Sequence, residues 1–251
     1  MHRFDARLKL VLALAAIVGI ALLPSGSYVA FAIVWLVSVA ASMAARLGPW
    51  RLVRGSWIVL PFAIVALPLA FTRPGEPLLA VDLGPLGLTA TREGLRDALS
   101  IVARSWLSVQ VALLLAYTTP FPDLIDALRA LRLPAVMVSI IGFMYRYLAV
   151  IGEEAGRMNR ARASRSASGR GRGGSLAWRA RVTGAMVGSL FIRSYERSER
   201  VYAAMLARGF EGTLRGASLT RPASSDLVVF GLALGAIAVF TAVVTLWGPR
   251  A

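Results

Sequence analysis

Cysteine is absent from the 251 residues, and histidine and lysine occur once each, as His2 and Lys9. The first absence excludes disulfide staples, thiolate metal sites and cysteine nucleophiles. A single histidine leaves no basis for a His-based active site or a transition-metal cage built within this chain. Charge is scarce as well: 16% of residues are charged against 57% hydrophobic, a balance foreign to soluble domains of this length. The phosphate-cradling pattern G-x-x-x-x-G-K-[ST] is missing, and no glycine loop precedes Lys9, so nothing in the chain grips ATP. The run Gly171–Gly174 lacks the preceding strand of a dinucleotide-binding loop and reads as flexible linker.

What is present is apolar sequence in long runs. A spanning helix needs about 20 mostly apolar residues, and five segments qualify: Leu8–Leu23, Tyr28–Ala45, Trp57–Phe71, Ala98–Thr118 and Asp226–Trp247. The expected fold is therefore all-α, a polytopic helical membrane protein. The first run follows Arg3, Arg7 and Lys9 as a secretory signal would, but a second apolar run follows closely and no A-x-A-type site intervenes, so a retained first helix is expected. Arg104 interrupts the fourth run and is expected to face protein or to snorkel. The connection Thr72–Asp97, with Pro74, Pro77 and Pro85, reads as a solvated loop.

The excess of base over acid, 28 Lys and Arg against 13 Asp and Glu, would suit nucleic acid, anionic lipid or an acidic protein. Its placement discriminates among them. Arg3, Arg7 and Lys9, then Arg46, Arg51 and Arg54, fall on one side of the expected spans, while the turn Pro24–Ser27 on the other has no base. The positive-inside tendency then puts the N-terminus in the cytosol and the C-terminus outside. Between Arg157 and Arg221 fourteen arginines face only Glu196, Glu199 and Glu211. Keeping that stretch cytosolic requires the sixth apolar run, Pro134–Ile151, to lie against the membrane rather than cross it.

The chain thus divides into 1–118 with four spans, a cytosolic block 119–221, and a final span in 222–251. Three helical pieces are expected in the block. Asp123–Arg132 is short and amphipathic, opened by Pro120 and Pro122. Ala135–Ser166 is apolar until Glu153, with Glu153 and Arg157 four apart as an ion pair. After the loop SGRGRGGS (Ser168–Ser175), Trp178–Gly209 repeats apolar residues every three or four positions, with Arg193, Glu196, Arg197, Arg200 and Arg208 opposite. Gly209 suits a left-handed helix end.

Two candidate carboxylate pairs carry little chemistry. Glu153 and Glu154 are about 100° apart on a helix and do not converge. Asp123 and Asp126, the candidates for Mg²⁺ in an enzyme acting on lipid or isoprenoid phosphates, have arginines close by. The triplets Ser164-Arg165-Ser166 and Ala207-Arg208-Gly209 are more distinctive. Each sets an arginine between small residues at the end of a long helix, where a partner can approach closely and the guanidinium fork can grip a carboxylate.

The stretch FIRSYERSERVYAAMLARGFEG (Phe191–Gly212) resembles the second coupling motif of the transmembrane T components of energy-coupling-factor (ECF) importers, in particular the cobalt-type CbiQ family. YTTPFPDLIDALRALRLP (Tyr117–Pro134) and YRYLAVIGEEAGRMNRARASR (Tyr145–Arg165) are similar to that family's approach to its first motif. The resemblance implies that Arg165 and Arg208 insert into grooves of two ATP-binding-cassette subunits. Ser166 stands where glycine is usual, which leaves Arg162 as an alternative to Arg165. It further implies a multi-pass subunit of a bacterial or archaeal cytoplasmic membrane, without catalysis or cofactor of its own. ATP would be bound by the partner subunits, and cobalt or nickel would be taken up through a CbiM-like substrate-binding membrane subunit, the S component. Membrane lipid is the other expected partner, and nucleic acid is not one. The rival reading, a basic protein binding anionic lipid or nucleic acid without an ATPase, predicts steep salt dependence and tolerance of Arg-to-Lys changes.

Overall fold

The computed structural model describes residues 5–72, 74, 77–83, 86–165, 175–212 and 224–247. Three of its helices, those starting at Ala6, Arg92 and Leu176, begin at side-chain caps. Asp5 caps α1 (Ala6–Leu22) by accepting from the Arg7 amide at 2.9 Å. A turn at Pro24–Ser27 leads into α2 (Tyr28–Ala44). Gly26 makes that turn at φ +83°, and a Cβ there would overlap the Arg96 guanidinium.

The expected span Trp57–Phe71 is not one helix. The chain runs as α3 (Pro49–Gly55), a 3₁₀ turn (Ser56–Val59), α4 (Leu60–Ala66) and α5 (Leu69–Thr72). Pro61 and Pro68 supply the reason, since each removes an amide that a continuous helix needs. The connection after α5 also departs from the expected loop. It holds an antiparallel hairpin, β1 (Pro77–Leu83) with β2 (Leu86–Thr91), in which Ala80 faces Thr89 and Leu83 faces Leu86. Thr91 then caps α6 (Arg92–Thr118), accepting from the Gly94 amide at 3.2 Å. α6 therefore starts six residues before the expected Ala98. The last helix of this part, α10, covers Ser224–Trp247.

These elements form one compact unit, residues 1–127 with 219–251. α6 is its axis, in contact with α1, α2, α3, the 3₁₀ turn, α4, α5 and β2. Ile20, Leu23, Ala30, Phe31 and Leu107 form the buried centre, and Trp35 stacks on Trp106 with ring centroids 6.3 Å apart. α1 also packs on α10, where Gly19 comes so close that a Cβ would lie 2.9 Å from the Thr241 hydroxyl. Small residues permit such backbone approach in membrane helix pairs. Arg104 faces protein, as expected, donating to the Ser25 hydroxyl at 3.2 Å.

The second unit comprises residues 128–218. α7 (Phe121–Ala130) ends in it, and Arg132, at φ 61°, turns the chain before Pro134. It is otherwise built from α8 (Ala135–Arg165) and α9 (Leu176–Ala207), which contact each other. By length and composition three helices among the described residues can cross a membrane: α6, α8 and Asp226–Trp247 of α10. The fold is that of an all-α, multi-pass membrane protein with one small hairpin.

Candidate coupling site

α9 is built to present its C-terminus. Ser175 caps its start, accepting from the Trp178 amide at 3.3 Å. At the other end Gly209 adopts φ +78°, the Gly209 amide donates to the Leu206 carbonyl and the Phe210 amide to that of Met205, both at 3.0 Å. That pair of bonds is the Schellman arrangement, which satisfies carbonyls a helix end otherwise leaves open. It fixes Arg208 as the capping residue, with φ −96° and ψ 10°. Phe210 anchors the end by meeting Phe143 of α8 edge-on, 6.4 Å between centroids. Ala207, Arg208 and Gly209 are all exposed.

α8 ends at Arg165. Ser164 and Arg165 are exposed, the Ser164 hydroxyl donates back to the Ala161 carbonyl at 2.9 Å, and Ser166 lies outside the described residues. So do Ser168–Gly174 of the linker. Arg162, the alternative, is occupied: its guanidinium lies over the Trp178 ring at 5.9 Å. Among the described residues neither Arg165 nor Arg208 has a carboxylate partner.

Three contacts set the direction of the helix pair. Arg162 meets Trp178, Arg193 donates to Glu154 at 3.1 Å, and Phe143 meets Phe210. As numbers fall on α8 they rise on α9, so the two run antiparallel. Arg165 is near the start of α9 and Arg208 at its end, and at 1.5 Å per residue the path from Trp178 to Arg208 covers roughly 45 Å. The two sequence-predicted arginines are not brought together; they occupy opposite ends of one helix pair.

Glu154 joins the pair midway, a role its sequence context did not reveal because Arg193 is 39 residues away. The expected ion pair of Arg157 with Glu153 is present at 3.8 Å, and Arg157 also reaches Glu154, more closely, at 2.5 Å. Glu154 sits on the side of α8 that faces Arg193, so it holds both cations. The Arg157 hydrogen bond, with help from Arg193, keeps the Glu154 carboxyl below its ordinary range.

The apolar stripe of α9 lies open. No residue of α9 is buried, and Val187, Phe191, Tyr195 and Tyr202 are each at least 55% exposed. Such a stripe is far larger than single exposed apolar residues account for, and it calls for a partner surface. Asp123 and Asp126 both fall in α7, and among the described residues no three His, Asp or Glu side chains converge as a metal site would require.

The profile of the CbiQ family, described as cobalt transport protein, matches residues 1–218. The cobalt transport protein CbiQ of Rhodobacter capsulatus is 33% identical over 167 residues, 66% of each chain. The energy-coupling factor transporter transmembrane protein EcfT of Heliobacterium modesticaldum is 30% identical over 227 residues, 84% of this chain and 80% of its own. A putative fused cobalt transport protein CbiMQ of Methanocorpusculum labreanum is 28% identical over 221 residues, 85% of this chain and 35% of that longer one. The chain spans just under two thirds of the Rhodobacter relative's length.

Proposed function

Because the chain belongs to the CbiQ family of cobalt transport proteins, we propose that it is the non-catalytic transmembrane T component of an ECF-type importer that takes up cobalt or nickel. The observation that carries this reading is the placement of two exposed arginines, unpaired among the described residues, at opposite ends of the α8–α9 pair. One guanidinium at each end suits two separate acidic grooves, one on each of two ATP-binding-cassette subunits. Arg165 is the donor at the α8 end, since Arg162 is held by Trp178.

In this mechanism ATP-driven closure of the ATPase pair moves the two helix ends, and α8 and α9, linked through Glu154 and the Phe143–Phe210 contact, transmit the shift as a body. Their open apolar stripes bear on a CbiM-like substrate-binding subunit, which rocks in the membrane. The fused CbiMQ relative joins, by its name, the two membrane parts in one chain, which supports that partner. Although α8 is long and apolar enough to cross, in this reading it lies against the membrane, so that residues 157–221 stay in the cytosol with the N-terminus, and α10 carries the C-terminus outside.

The test is Arg208→Glu in the complex purified from its own membrane. Leaving one member of a buried charge pair unpaired costs about 2 to 5 kcal/mol, and reversing its sign adds repulsion. Metal uptake should be abolished and an ATPase subunit should be lost from a pull-down. Full uptake by an intact complex would overturn the assignment.

A further inference from the structure

Two faces divide the segment from Pro49 to Val59. Leu52, Ser56 and Val59, spaced i, i+4, i+7, are at most 5% exposed and belong to the part that packs on α6. Gly55 makes this packing tight, since a Cβ there would lie 2.8 Å from a Leu113 methyl. The opposite face carries Trp50, Val53, Arg54 and Trp57, at i, i+3, i+4, i+7, and these four line an open depression of about 420 Å³. Trp50 is 75% exposed and Trp57 74%.

The stretch of chain that carries this face is basic throughout. No acidic residue occurs between Asp5 and Glu76, and Arg54 has no ion pair or hydrogen bond among the described residues. Arg51 lies over the Tyr117 ring at 5.7 Å, and Arg46 is exposed. The segment directly follows the apolar helix α2, at the end where the basic residues gather, which puts it at the level of the headgroups. Indole rings favour that level, apolar body toward the acyl chains and N–H toward the polar zone. A lone guanidinium between two indoles there matches a phosphodiester rather than an apolar protein surface.

We propose that this face is a binding site for an anionic phospholipid of the cytosolic leaflet, with Arg54 on the phosphate and Trp50 and Trp57 along the glycerol and upper acyl chains. The test uses the full chain in nanodiscs of equal phosphatidylglycerol and phosphatidylcholine, released into native mass spectrometry. The wild-type chain should retain phosphatidylglycerol several-fold over phosphatidylcholine, and Arg54→Gln should bring that ratio close to one without changing the circular dichroism of the helices. Arg200→Gln, on α9, should leave the ratio as in wild type; equal loss there would reduce the effect to net charge and overturn the proposal. An unchanged ratio in Arg54→Gln would overturn it directly. Excess inorganic phosphate should not displace the lipid, and displacement would identify a free-phosphate site instead. In the assembled complex, brominated phosphatidylglycerol should quench the emission that is lost in the Trp50→Phe, Trp57→Phe variant; absence of quenching would mean that a protein partner covers the face.

Discussion

Gly26 shows how far one residue can set the packing of the transmembrane unit. Its amide donates to the Ser100 hydroxyl at 2.9 Å, and Arg96 reaches around it to the Ser25 carbonyl at 2.8 Å. Glycine is required twice over, for the φ of +83° and for the space that Arg96 fills. Gly26→Ala should cost about 1 to 3 kcal/mol from backbone strain alone, read as a lowered melting temperature in detergent. A melting curve identical to wild type would mean that the turn has another conformation open to it. Not every buried polar residue has such an account. Gln110 is 1% exposed, yet neither atom of its amide has a partner among the described residues, and nothing in the structure explains it.

Among the elements, α8 and α9 are joined by few contacts, so each one matters more than its chemistry suggests. Glu154, bonded to Arg157 and Arg193, is a polar one. Its depressed pKa fixes the sign of the pH effect: the contribution is present above the ordinary carboxylate pKa and is lost as pH falls through the lower, folded value. Acidification below about pH 4 should therefore loosen the pair, seen as faster amide exchange at the middle of α9. Glu154→Gln should show the same loosening at neutral pH and little further change on acidification. The C-terminal end of α9 was legible in the sequence because Gly209 is a local signal; its start, expected at Trp178, comes two residues earlier, where Ser175 caps it. The Glu154–Arg193 link was not legible, since nothing local marks a partner 39 residues away. The hairpin was legible in principle: LLAVDL and LGLTAT flank Gly84 and Pro85, and turn residues between two short apolar runs signal paired strands. Pro61 and Pro68 likewise marked the breaks in the third span, but the hydropathy of that run concealed them.

At the scale of the whole molecule, the antiparallel course of α8 and α9 changes what the two arginine triplets imply. Side by side they would form one binding site, and removing either would remove the partner. At opposite ends, roughly 45 Å apart along α9 by helical rise, they form two sites of the same kind. The proposed coupling role then predicts a stepwise loss. In native mass spectrometry of the purified complex, Arg165→Glu and Arg208→Glu should each leave one ATPase subunit bound, and the double variant none. Transport should fail in all three, because motion of the pair requires both ends to be held. If either single variant released both subunits, the ATPases would be holding the helix pair as a dimer and the assignment of one groove to each arginine would fall. If Arg162→Glu, and not Arg165→Glu, produced the loss, the contact would lie one turn earlier on α8, and the Trp178 ring would be a resting place that Arg162 leaves on assembly.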